Sequence, residues 1–312
     1  MFKRLFRRFS RAAAEPPPPR LSVIVACYKM ENQIGNTVRS LVTPYQKQIK
    51  SKEFEVIVVD NGSPSPLPEE TWKLAKNVSY LYIPPGEATP NPGTAINRAV
   101  RKARGENLAV ILDGARMVSP GTLSWGLRLL GLTARAVVAV RAWHLGPKFQ
   151  PESILEGYNH EVEKAMLLES KWWENGYRLF EISAASSQTR DGFAGRAIES
   201  TCLFLSRRLF DEIGGFNEGY KAPGGGLVNL DFFCRAVDAS SNAFTLLGEG
   251  TFHQVHGGAA TGLGTEDLKE ALVRWTEESV ALRGELAAAH KNKFILAGHI
   301  PRECARWLNY GN

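Results

Sequence analysis

No stretch of this 312-residue sequence holds the roughly eighteen consecutive apolar residues that a bilayer-spanning helix needs, so the chain is expected not to cross a membrane by itself. Cysteine is scarce: Cys27, Cys202, Cys234 and Cys304 are scattered, with no Cys-x-x-Cys spacing. That argues against a disulfide framework or a zinc site and reads as reduced structural thiols. Two phosphate-binding signatures are also missing. No Gly-x-Gly-x-x-Gly follows the first apolar run, and no Gly-x-x-x-x-Gly-Lys-[Ser/Thr] occurs, which argues against a dinucleotide fold and a P-loop. A basic surface is absent outside the amino terminus. The net charge is +6, and Lys3, Arg4, Arg7, Arg8 and Arg11 account for almost all of it, so no nucleic-acid partner is expected.

Those five cations alternate with Phe2, Leu5, Phe6 and Phe9. Two readings stay open for residues 1–11: a basic amphipathic helix in peripheral contact with an anionic membrane, or a disordered tail. A secretory signal is excluded because no apolar core follows the charges. The remainder, 44% hydrophobic and 22% charged over the whole chain, has the composition of a globular domain with a buried core.

Pro16 to Pro19 form a stiff spacer, so the folded domain is expected to start at Leu21. From there strand and helix alternate. Ser22 to Cys27, Glu55 to Val59, Val78 to Ile83, Leu108 to Leu112 and Ala136 to Arg141 read as strands, the first two as continuous apolar runs buried on both faces. Between them, Ile34, Val38, Leu41 and Val42 fall at helical spacing, Thr94 to Arg104 reads as a basic amphipathic helix, and Pro120 opens another. Such alternation implies a mainly parallel α/β sheet with helices on both faces and ligands beyond the carboxyl ends of its strands. Past residue 150 the pattern changes. Glu152 to Trp173 reads as helix, Ser183 to Ser200 as a polar stretch, Thr201 to Leu205 as a strand, and Thr265 to His290 as a helical tail. Three parts follow: a basic tail and linker over 1–20, a main domain over 21–262, and a helical carboxyl-terminal extension over 263–312.

The strand ends carry an ordered series of polar groups. They are Tyr28 after the first strand, Asp60-Asn61-Gly62-Ser63 after the second, and Asp113-Gly114-Ala115-Arg116 after the fourth. With Pro92-Gly-Thr-Ala-Ile-Asn97, Ala103-Arg-Gly-Glu106 and Gly214-Gly-Phe-Asn-Glu218, this series resembles the family two glycosyltransferases of the GT-A, Rossmann-like fold over most of residues 21–240. The resemblance implies transfer of a sugar from a nucleoside-diphosphate donor to a hydroxyl on a glycan or lipid-linked acceptor. Polysaccharide assembly at the inner face of a membrane would be its setting, and the cytoplasm its location. It further implies a donor site made by Ala26, Tyr28, Asp60, Asn61, Asn97, Asp113, Gly114 and Arg116. Asp60-Asn-Gly-Ser63 is equally good turn chemistry.

Two departures from the family pattern matter. Where the family has Asp-x-Asp with a divalent metal on the last carboxylate, this chain has Asp113-Gly-Ala115, and Ala115 cannot bind a metal. Asp113 with His253 is the expected ligand set for Mn2+ or Mg2+. His256 is three residues away, and residues so spaced on a strand face opposite sides, so it is expected to be structural. Arg116 offers a fixed positive charge as another answer to the diphosphate. In inverting members a carboxylate in Glu-Asp-x-Asp takes the acceptor proton, but here that place is held by Asn229. Asp231, two residues on, is the expected base or else a helix-cap acid. Gly225 and Gly226 are expected to let the backbone approach the acceptor side with Asn229. Glu199 and Asp191 are held in reserve. Trp172, Trp173 and Tyr177 read as packing residues, and Arg274-Trp275 lacks the glutamine of a processive-synthase motif, Ala271 standing in its place. A sugar-nucleotide-forming nucleotidyltransferase is disfavoured because Cys27 to Glu31 holds no glycine. A non-catalytic sugar-nucleotide-binding module stays open on the strength of Ala115 and Asn229.

Overall fold

A computed structural model describes residues 17–257, 265–286 and 293–308. The basic segment 1–11, Gly258 and residues 287–290 of the expected tail helix lie outside the described residues.

Ten strands form one sheet among the described residues. They are β1 (Leu21–Cys27), β2 (Phe54–Asn61), β3 (Val78–Ile83), β4 (Asn107–Ile111), β5 (Arg116–Val118), β6 (Ala136–Leu145), β7 (Ser183–Ala185), β8 (Cys202–Ser206), β9 (Asn242–His253) and β10 (Phe294–Gly298). The main order is β10-β9-β6-β8-β4-β1-β2-β3, with β5 on β9 and β7 on β6. β1 runs parallel to β2 and β4, β2 parallel to β3, and β9 parallel to both β6 and β10. β8 is antiparallel to both β4 and β6. β4 and β6 therefore point the same way, and the carboxyl ends of β1, β2, β4, β6 and β9 share one rim.

The continuous apolar runs have a simple cause. All seven residues of β1 are buried, with Leu21, Val23, Val25 and Cys27 in one core layer and Ile24 and Ala26 in the other. Each fully buried Val or Ile contributes roughly 1.5–3 kcal/mol. A third cluster, around Trp143, Phe180, Phe193 and Phe252, packs beyond the sheet's far half. Trp172 is buried there and Tyr177 packs against it, as their reading as packing residues implies, whereas Trp173 is 43% exposed and does not join the cluster. All four cysteines are buried, and no disulfide joins them.

Three of the elements read from the sequence differ in the structure. The helix expected over Glu152 to Trp173 is two helices, Gln150–Leu155 and His160–Ser170, broken where Gly157 takes φ +95°. The strand expected to end at Arg141 runs on to Leu145. The segment 263–312 is more than a helical extension. The helix Thr265–Arg283 is present, but Phe294–Gly298 adds a parallel strand to β9, and Cys304 and Trp307 enter the third core cluster. Among the described residues no helix is long and apolar enough to cross a membrane.

Candidate active site

Asp113 and His253 lie 140 residues apart, and β5 is what joins them. After β4 the chain turns through Asp113–Ala115 and folds back as β5 against β9, with Arg116 opposite His253. Gly114 makes the turn possible, because a Cβ there would lie 2.6 Å from the Cβ of Cys27. Ala115, at the place of the usual metal carboxylate, is fully buried in the core and its carbonyl accepts from Gln254 N. It contributes no ligand.

The expectation that His256 is merely structural is corrected. β9 ends at His253, and the chain turns immediately rather than after His256. The turn is held by Gln254 N on Ala115 O, by Gln33 Nε2 on Val255 O, and by Val255 N on the carboxylate of Glu163. As a result His253 Nε2 lies 2.9 Å from Asp113 Oδ2 and 2.9 Å from His256 Nε2, and His256 Nε2 is 3.4 Å from the same carboxylate oxygen. Ligand atoms of all three residues fall within 4.8 Å of one another.

Gln150 fixes which nitrogen of His253 is protonated. Its Nε2 donates to His253 O at 3.3 Å, so its Oε1 is the atom 2.7 Å from His253 Nδ1 and accepts that N–H. Burial, helped by the charge of Arg116, pushes the pKa of His253 down to about 4. At neutral pH its Nε2 is therefore a lone pair aimed at Asp113. Burial opposes ionisation of Asp113, but the charge that the two imidazoles carry when protonated, with the hydrogen bonds they then donate, brings its carboxyl well below the usual range. Asp113 Oδ2 and the bare His253 Nε2, two acceptors 2.9 Å apart, need a positive partner between them, which an N–H of His256 or a bound cation supplies. One carboxylate oxygen and two imidazole nitrogens suit a divalent ion, and the imidazoles favour a first-row transition ion over Mg2+. The residues present fit such a cofactor.

Arg116 stands beside this centre. Its Nε is 3.7 Å from Asp113 Oδ2, too long for a hydrogen bond, and is buried with no hydrogen-bond partner. A buried guanidinium N–H left unpaired is poised for an anionic ligand. Tyr28, at the carboxyl end of β1, is 49% exposed and offers a ring face on the same rim. Ala26 lies beneath it, buried on β1. Asn61 is half-buried, its Nδ2 donating to Thr89 O.

Four other expectations give way to structural roles. Asp60, expected on the base, has no exposed surface, and its oxygens accept from Ser63 N at 3.0 Å and Tyr80 Oη at 2.8 Å. The turn chemistry prevails there. Asn97, expected in the donor site, clamps the Gly214–Glu218 loop: Nδ2 donates to Phe216 O and Glu218 Oε1, and Oδ1 accepts from Phe216 N. Asn97→Ala is thus expected to lower stability by about 1–3 kcal/mol without changing nucleotide affinity; urea melts and calorimetric titration of both proteins check the two halves. Asp231, the expected base, sits in the first turn of the helix Val228–Ala239 with its side chain 1% exposed. Arg235 grips Oδ2 at 2.7 and 2.9 Å, and Arg283 grips Oδ1 at 2.7 Å. Gly225, buried, and Gly226, half-buried, have positive φ and make a tight turn. A Cβ at Gly225 would meet Val228 and Pro92, and one at Gly226 would meet Ala222 and Trp275.

Asn229 and Glu199 come together on the rim. The Asn229 Nδ2 donates to Glu199 Oε1 and, at 3.2 Å, to Ser200 O. His144, Gln150 and Glu163 were not visible as site residues in the sequence. They lie behind the histidine turn, and only a pairing register could have revealed them. His144 faces His253 across β6 and β9, and burial depresses its pKa to about 2. Burial raises that of Glu163 to about 8.

A rim-built site joining a carboxylate, two histidines and an arginine thus stands on a mainly parallel sheet whose fold is the GT-A fold. Residues 22–184 match the model for glycosyl transferase family 2, and the chain belongs to that family. The uncharacterized protein y4gI of Sinorhizobium fredii is 24% identical over 263 residues, covering 83% of this chain and 27% of its own length. Glycosyltransferase AglD of Haloferax volcanii is 31% identical over 97 residues, covering 31% of this chain and 16% of its own. The chain spans about a quarter or less of the length of these curated relatives. Among solved structures, S. aureus TarS 1-349 in complex with UDP-GlcNAc aligns with a TM-score of 0.52 at 17% identity over 84% of this chain and 66% of that one. That likeness is one of fold.

Proposed function

We propose that the chain moves a sugar from a nucleoside-diphosphate donor to a hydroxyl of a glycan or lipid-linked acceptor. One observation carries the reading: Asp113, His253 and His256 converge on a common point beside the unpaired Arg116 Nε, on the rim where Tyr28 stands. Asp113, His253 and His256 would hold Mn2+ or Mg2+, and Arg116 would add a fixed charge for the diphosphate. A divalent ion bound there supplies positive charge against which the diphosphate leaves. Tyr28 would stack on the base, with Asn61 beside it. Peripheral membrane contact through residues 1–11 would bring a lipid-linked acceptor within reach and belongs to the same proposal.

The test is release of nucleoside diphosphate from a panel of UDP- and GDP-sugars by the full chain, with Mn2+ or with a chelator. UDP-GlcNAc is the first donor to try, since TarS is seen with it. Release from one donor that depends on the metal is the expected outcome. Ala115 and Asn229 favour a second reading, a module that binds sugar nucleotides without turning them over. Nucleotide binding with no release across the panel would establish that reading instead.

A further inference from the structure

Asn229 stands where the family resemblance places the proton-accepting carboxylate, and an amide cannot take that proton. A carboxylate reaches the same spot from another element. Glu199 lies just before β8, whose antiparallel course starts it at the rim, and its Oε1 accepts from Asn229 Nδ2. No hydrogen bond is made to its Oε2 among the described residues, and the side chain is half-buried rather than sealed. Arg116, which flanks Asp113, is also near enough for its charge to act on Glu199. Asp231 differs in having both oxygens taken by arginines.

We propose that Glu199 is the general base of the transfer, held by Asn229 and filling the role that Asn229 itself cannot. The inference rests on the glycosyltransferase reading and deepens it. Glu199 Oε2 takes the proton of the acceptor hydroxyl as that oxygen bonds to the anomeric carbon. The bond from that carbon to the diphosphate oxygen breaks, its electron pair leaving with the nucleoside diphosphate. Direct displacement by a base-activated hydroxyl inverts the anomeric centre. Burial raises the pKa of Glu199, while the Asn229 hydrogen bond and the charge of Arg116 oppose the rise. The groups that act on it are Arg116 on β5 and Asn229 and Cys234 on the helix Val228–Ala239. A base must be ionised to act, so activity falls as pH drops through the pKa of Glu199.

The experiment compares wild type, Glu199→Gln, and Glu199→Gln with Asn229→Asp, using water as acceptor and the donor that wild type turns over. Glu199→Gln is expected to lose about 100-fold or more in kcat, to keep the affinity for the nucleoside diphosphate, and to lose the acid limb of the pH–rate profile. Asn229→Asp in that background is expected to restore at least tenfold, by returning a carboxylate to the same spot. Turnover by Glu199→Gln within threefold of wild type would overturn the inference and leave the transferase reading intact. So would a loss of turnover matched by loss of nucleotide affinity and not rescued by the aspartate. A wild-type chain that turns over no donor would instead overturn the transferase reading, and this inference with it.

Discussion

His253→Ala is expected to abolish metal-stimulated transfer, lowering kcat/KM by at least about 100-fold, because loss of an outer partner of a metal ligand alone costs about 10- to 100-fold. The side chain is 2% exposed, its Nδ1–H is committed to Gln150, and its Nε2 is one of the three atoms converging beside Arg116. Gln150→Leu keeps the imidazole but frees its tautomer and rotation, so a smaller loss, about tenfold or more, is expected. The half-saturating Mn2+ concentration should rise in both variants, more in His253→Ala. Initial rates across a Mn2+ series check this. Rates that match wild type in both variants, and that ignore a chelator, would contradict it.

The second large effect is on stability. Asp231→Ala is expected to lower the unfolding free energy by about 3 kcal/mol or more, because removing one partner of a buried ion pair leaves the others uncompensated. Here Asp231 serves two arginines at once, and Arg283 closes the helix Thr265–Arg283, so the loss should loosen the carboxyl-terminal segment as well. Chemical denaturation gives the energy, and protease sensitivity of the last helix gives its location. Transfer normalised to the folded fraction should stay within severalfold of wild type. A variant as stable as wild type but inactive would restore Asp231 as the base.

The parallel half of the sheet was legible because its strands are continuous apolar runs between two core layers, as in β1 and β2. β9 was not. Gly248, Glu249 and Gly250 interrupt its apolar pattern, and the buried Glu249 is accommodated by donors from Ser119, Gly121 and Tyr177, all far away in sequence. β5 and β10, three and five residues long, are too short to announce themselves. In the site, the pairing of Asp113 with His253 was legible through the family resemblance, and the place of His256 was not, because it depends on where β9 stops. Asp60, Asn97 and Asp231 mark the opposite error. Asp60 ends a strand, Asp231 starts a helix and Asn97 lies mid-helix, and each is consumed by a partner that spacing cannot reveal: Tyr80, Arg283 and Phe216. Glu199 became readable only once the fold set it against Asn229.

The central claim is that one rim of the sheet, from Tyr28 through Asp113 to His253 and His256, builds a single site for a sugar nucleotide and a divalent ion. A crystal structure of the full chain soaked with Mn2+ and the nucleoside diphosphate that most raises its melting temperature tests this most directly. The claim predicts the ion on Asp113 and both histidines, the diphosphate between it and Arg116, and the base against Tyr28. A nucleotide bound elsewhere, or bound on this rim with Asp113, His253 and His256 untouched by metal or phosphate, would contradict it.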